Sequence, residues 1–200
     1  MSAVLDGKLW WYVSRSSGIM AWFLAVLAVL WGLALSTRAI GKRPKGPWLL
    51  DLHRFLSGLA VIFTGIHLAS LFFDNYTHWA WGELFVPMVS KWKPGPTAWG
   101  IVAVYLLIAV EVTSLVMNRI PRRLWRAFHF TSFALFVAAT IHLLQAGTDR
   151  ENYVLRWVVL LSVVAVLFFT IYRILMAIFG RTPPAADRAA LLAAARRQVV

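Results

Sequence analysis

The chain has 200 residues, 60% of them hydrophobic and only 14% charged, where a soluble domain carries about 25% charged residues. Its mean hydropathy of +0.71 excludes an ordinary soluble enzyme and predicts an integral membrane protein. The net charge of +12 is gathered in short loops and a tail. It therefore reads as a topology signal, with membrane lipid and no nucleic acid as partner. There is no cysteine, which rules out disulfides, thiolate metal sites and iron–sulfur ligation.

Gaps between charges predict five membrane spans in an all-α bundle. The first covers about residues 10–36. Its uncharged run, Gly18 to Ser36, is 19 residues long, longer than the roughly 7–15 of a signal peptide's apolar region, and is read as a span. The second covers about 49–73, the third 98–117 with Glu111 inside it, the fourth 124–144, and the fifth 154–179 with Arg173 near its end. Residues 1–180 make one transmembrane domain, and 181–200 a basic amphipathic tail expected at the cytoplasmic surface.

The connecting loops set the orientation. Arg38, Lys42, Arg43 and Lys45 fill one loop and Arg119, Arg122 and Arg123 another, without an acid in either. Asp74, Glu83, Asp149 and Glu151 fall in the other two. The positive-inside rule then predicts a multi-pass cell-membrane protein with its N-terminus outside and its C-terminus cytoplasmic. The second and fourth spans run in the same direction, from the cytoplasm outward.

Four histidines lie in these two parallel spans. His53 and His67 are fourteen residues apart on the second, and His129 and His142 thirteen apart on the fourth. At 1.5 Å per residue each pair covers roughly 20 Å of depth. Imidazole inside a bilayer needs a partner and is a functional candidate by default. Parallel spans pair His53 with His129 near the cytoplasmic face, and His67 with His142 near the outer face. Each pair could grip a metal from both sides, and two stacked haems, held non-covalently for want of cysteine, are the obvious occupants. A bis-histidine iron keeps no open position and passes electrons. Helical geometry resists on one point. Fourteen residues leave His53 and His67 about 40° apart around the axis, whereas thirteen leave His129 and His142 about 140° apart. The fourth span must bend, or its ligands must reach round its sides.

The segments LDLHRFLSGLAVIFTGIHLAS (50–70) and WRAFHFTSFALFVAATIHLLQAGTD (125–149) resemble the ferric reductase-like transmembrane domain. That domain is shared by ferric reductases, NADPH oxidases and the membrane subunit of the periplasmic methionine sulfoxide reductase system. RSSG at 15–18 and the Thr113–Ser114 pair look like its bacterial branch, and the resemblance spans about residues 10–180. It implies two b-type haems, one on His53 and His129 and one on His67 and His142, in an oxidoreductase component of the membrane. No flavin- or NADPH-binding segment follows the fifth span here. The expected electron donor is therefore a separate flavoprotein or a membrane quinol, and the acceptor a separate agent on the outer side. A larger membrane complex is left open as the setting.

Other residues carry paired readings. Arg15, among Ser14, Ser16 and Ser17 on the outer side, is the best candidate to hold haem propionates, ahead of Arg54 and Arg126. Otherwise these arginines snorkel to the interface. Gly58, Gly65, Ala138 and Ala139 either admit a flat macrocycle or serve helix packing. Glu111 either accepts a proton or, slightly preferred, pairs with an arginine. His78, among Trp79 and Trp81, reads as interfacial. The outer loop with Trp79, Trp81, Phe85 and Trp92 forms an aromatic belt or a docking surface. A transmembrane electron conduit is the leading function. Its rivals are a haem-bearing structural or redox-sensing subunit and, less favoured, a proton relay through the histidines.

Overall fold

A computed structural model describes residues 2–37, 47–74 and 78–179, with side chains from residue 8 onward. Arg38, Lys42, Arg43, Lys45 and the tail after Phe179 lie outside the described residues. The rest is helical, with no strand among the described residues. The elements are α1 (Ser2–Thr37), α2 (Pro47–Phe72), α3 (Trp81–Phe85), α4 (Pro94–Leu115), α5 (Arg122–Phe130), α6 (Ser132–Ala146) and α7 (Tyr153–Phe179). Five stretches are long and apolar enough to cross a membrane: Lys8–Thr37, Pro47–Phe72, Pro94–Leu115, Arg122–Ala146 and Tyr153–Phe179. They match the five expected spans to within a few residues at each end.

The apolar surface accounts for this architecture. Leu161, Phe168, Ile171 and Leu167 of α7 and Phe55 and Ile62 of α2 are all exposed, as side chains facing acyl chains should be. Hydroxyls inside the spans are satisfied within their own helix, since lipid offers no partner. Thr64 donates to the Ala60 carbonyl, Thr113 to Ala109 and Ser162 to Val158. Prolines punctuate the starts: Pro47 opens α2, Pro94 opens α4 and Pro121 precedes α5, all positions where a missing N–H costs no helical bond.

Two small cores hold the bundle. Trp22, Val26 and Leu33 of α1 interlock with Phe136 and Leu143 of α6 and Val159 and Val166 of α7. Ala103 and Leu107 of α4 pack on Leu135 and Ala138 of α6. The Trp22 indole N–H donates to Thr140 Oγ1 at 3.0 Å, pinning α1 to α6. Helix α2 packs along α1, touches α4 only marginally, and makes no comparable packing with α5 or α6. A slot therefore separates α2 from the broken fourth span.

That span is broken at Thr131. Its backbone N–H turns back three residues to the Phe128 carbonyl, and its hydroxyl donates to the same oxygen at 2.6 Å. This tightened turn lies between His129 and His142, where α5 ends and α6 begins.

Between α2 and α4 the chain folds into a small cap around α3. Glu83 accepts the backbone N–H groups of Ala80 and Lys91, each at 3.0 Å. The Tyr105 hydroxyl donates to the Phe85 carbonyl at 2.5 Å, and Lys93 Nζ donates to the Gln145 carbonyl at 3.2 Å. The cap is thereby fastened to α4 and to the end of α6.

Candidate functional site

The four histidines meet across the slot in two pairs. The His53 and His129 rings have centroids 6.0 Å apart, and the His67 and His142 rings 6.4 Å apart. The rings cross at 67° and 75°. This pairing makes α2 parallel to the α5–α6 span. Metal–nitrogen bonds of about 2 Å, added to the roughly 1.1 Å from a ring nitrogen to its centroid, would place two axial imidazoles about 6.2 Å apart. The observed centroid distances of 6.0 and 6.4 Å lie close to that value. Among the described residues no group of three or more His, Asp or Glu side chains could hold a bare ion. Two nitrogens per site suit a macrocycle that brings its own four equatorial donors.

Three of the four imidazoles lie against a glycine, and the fourth, His129, against a tryptophan. His67 Nδ1 donates to the Ser14 carbonyl at 2.7 Å, and His142 Nδ1 to the Pro96 carbonyl at 2.8 Å. In both rings this tautomer leaves Nε2 unprotonated, with a lone pair that could ligate a metal. His67 lies against Gly18, where a Cβ would come within 2.9 Å of Nδ1. His142 lies against Gly100, where a Cβ would come within 2.6 Å of Cε1. His53 lies more loosely against Gly32, at 3.3 Å. In the second pair His53 faces the Ala28 backbone, while His129 Nδ1 and Trp125 Nε1 are buried without a hydrogen bond among the described residues. Trp125 stacks on the His129 ring, with centroids 5.1 Å apart and planes 26° apart.

A cavity of about 360 Å³ opens beside His67 and His142, within the range of small-molecule sites. Ala60, Thr64 and Leu68 of α2, Gly18 and Trp22 of α1, Gly100 and Val104 of α4, and Ala139 of α6 line it. Trp79, Leu84 and Trp92 of the cap close one end, and Arg15 and Asp149 form part of the rim. Arg15 is half-buried and lines this cavity. However, its guanidinium is forked onto the Asp149 carboxylate and lies 4.7 Å over the Trp11 ring.

Several expectations are corrected. Gly58 and Gly65 do not line the cavity, and a Cβ added at either would meet nothing within 4 Å. Gly58 lies about 140° around the helix from His53, and Gly65 about 160° from His67. Ala60 takes that place, 1% exposed and on the cavity wall. Glu111 makes no ion pair among the described residues and faces the Ser57 hydroxyl of α2. Arg54 pairs with Asp51 at the surface, at 3.5 Å. The Thr113 hydroxyl bonds within its own helix. His78 is exposed and joins no metal-ligating cluster among the described residues.

Gly32, Gly100 and Asp149 sit in no local motif that points to their roles. Arg173 differs, because its position inside an apolar span is itself a signal. Its guanidinium lies 5.3 Å over the Phe130 ring, and its charge reaches His129. Compared with known proteins, the chain matches no family model, no curated protein and no solved structure.

Proposed function

We propose that the chain is a di-haem b-type transmembrane electron-transfer protein. His53 and His129 would hold one non-covalent haem near the cytoplasmic face, and His67 and His142 a second near the outer face. The observation that carries this reading is the spacing of the two imidazole pairs, 6.0 and 6.4 Å, across a slot where α2 and α6 scarcely pack. A bis-histidine haem supplies one-electron chemistry without an open coordination position.

The chain's own residues do the rest. Ser14 and Pro96 carbonyls fix the tautomer and aim of His67 and His142, while Gly18, Gly32 and Gly100 leave room for the rings. Trp22, Leu68 and Val104 give the His67–His142 cavity an apolar lining. The donor is a separate flavoprotein or a quinol. The exposed Arg119, Arg122 and Arg123 suit an acidic soluble donor, which charge would steer. The acceptor lies outside: ferric iron, oxygen or a redox protein.

Haem quantitation on the purified full chain tests the reading. Two low-spin b haems per chain are expected. His53→Ala or His129→Ala should remove one of them, and His67→Ala or His142→Ala the other. A chain that binds no haem, or one haem needing His53 together with His142, overturns the proposal. Haem reduction by NADPH in the purified chain alone would overturn the assignment of a separate donor.

A further inference from the structure

We propose that the Glu111 carboxyl is a proton-binding site coupled to the His53–His129 pair, taking up one proton when that site gains an electron and releasing it when the electron leaves. This rests on the di-haem reading, which supplies the electron. Ser57, Ala60 and Thr64 of α2 recur at helical spacing between His53 and His67 and so share their face. Ala60, Thr64 and His67 line the cavity. On α4, Gly100, Val104 and Leu107 line the same cavity, and Glu111 continues their stripe by one turn. Glu111 faces the Ser57 hydroxyl, so the carboxyl stands at the slot, one turn of α2 from His53. An ionisable side chain inside a span is costly and is a functional candidate by default.

The Ser57 hydroxyl can serve both protonation states. Its Oγ lies 3.2 Å from the His53 carbonyl and 3.2 Å from the Arg54 carbonyl. It can donate to an ionised Glu111, or donate to one of these carbonyls and accept from the protonated acid. No ion pair among the described residues fixes the Glu111 charge. On α2, Arg54 pairs instead with Asp51 at 3.5 Å, beside His53. Of the other helices packed on α4, α5 carries Arg122, Arg123, Arg126 and His129, and α6 carries His142. The charge that varies beside Glu111 is then the electron on the His53–His129 site. Helix α4 ends at Leu115, one turn beyond Glu111, which brings interfacial water within reach. When the donor delivers its electron, the Glu111 carboxylate gains a proton from that water and an O–H bond forms. On reoxidation the bond breaks and the proton returns, so one electron and one proton move together.

The test is a redox titration of the haem-loaded full chain at a series of pH values. His67→Ala serves as the background, so that the His53–His129 site is read alone. Its potential should fall with rising pH through the Glu111 titration and level off on either side. Reduction strengthens proton binding there and, reciprocally, a bound proton favours reduction. A roughly tenfold rise in proton affinity, within the usual range for coupled sites, makes the total fall ~59 mV for a one-electron couple. Glu111→Gln, of nearly the same shape, should abolish the fall. Redox-difference infrared spectra should show a protonated-carboxyl C=O band in the reduced state, which Glu111→Gln removes and Ser57→Ala displaces. A potential independent of pH with Glu111 intact, or a fall and a carboxyl band retained in Glu111→Gln, would overturn this proposal alone. Absence of haem binding by the chain with all four histidines intact would overturn it together with the di-haem reading.

Discussion

Gly100 of α4 and the His142 imidazole of α6 touch so closely that a Cβ at position 100 would sit 2.6 Å from Cε1 and 2.7 Å from Nδ1. No real side chain tolerates that approach, so Gly100→Ala must push the imidazole off the Pro96 carbonyl. If the chain binds two haems as proposed, this variant is expected to bind one, with helical content unchanged. Gly18→Ala should act on His67 in the same way, and Gly32→Ala more mildly on His53, where the approach is 3.3 Å. Gly58→Ala is the control. Nothing lies within 4 Å of it, and alanine is favoured over glycine by about 1 kcal/mol inside a helix. Loss of haem in Gly58→Ala, or its retention in Gly100→Ala, would count against this account.

The spans and the histidine pairing are legible in the sequence because both follow from periodicities. Charge gaps place the five apolar stretches, and parallel direction places His53 opposite His129. The break at Thr131 can be inferred only as a contradiction between thirteen residues and 100° per residue. Nothing in the side chain of Thr131 announces it. The glycines mislead for a different reason. Gly58 and Gly65 stand between two histidines in sequence, but helical rotation carries them to the far side. Gly100 lies in another span altogether, and only the packing of α4 on α6 brings it to His142. Asp149 likewise reaches Arg15 across 134 residues of sequence, and no local pattern links them.

The Arg15–Asp149 pair separates two jobs that would otherwise fall to Arg15 alone. If the pair serves mainly to tie α1 to the α6–α7 turn, Arg15→Gln and Asp149→Asn should destabilise the chain to a similar degree. A partly exposed ion pair of this kind is worth about 1 kcal/mol or less, and its forked geometry places it at the upper end. If Arg15 also meets a propionate, Arg15→Gln should lower haem affinity while Asp149→Asn, which frees the guanidinium, should raise it. Thermal unfolding together with haem titration of the two variants separates these outcomes.

Glu83 gives the cap a defined pH dependence. The Ala80 N–H first, and the Lys91 N–H with it, hold the Glu83 carboxyl below its usual value of 4.5. A depressed carboxyl contributes its stability above the unfolded value and loses it as pH falls through the lower folded one. The cap should therefore be intact at neutral pH and loosen only in acid, below the usual carboxylate range. Hydrogen exchange at the Ala80 and Lys91 amides, followed with falling pH, should show protection disappearing there. Glu83→Gln should show weaker protection that no longer depends on pH in this range.

On the di-haem reading, the two histidine pairs differ in a way that would set the potentials of their haems apart. Nδ1–H donation to the Ser14 and Pro96 carbonyls makes His67 and His142 more electron-rich ligands, which favours ferric iron and lowers the potential. His129 has no such acceptor among the described residues, and the Arg173 charge reaching it would disfavour the more positive ferric state of a haem bound there. Both effects raise the potential at that site. Enclosure of the His67–His142 cavity acts the other way, since low polarity also disfavours ferric iron. It is opposed by direct bonds to both ligands. A redox titration of the loaded chain should therefore resolve two steps. The lower one should vanish in His67→Ala, and the higher one should move down in Arg173→Gln. Electrons entering at His53–His129 would then climb slightly to His67–His142, so net flow would depend on an acceptor that withdraws them. A single unresolved step, or loss of the higher step in His67→Ala, would show that the carbonyl bonds do not govern the difference.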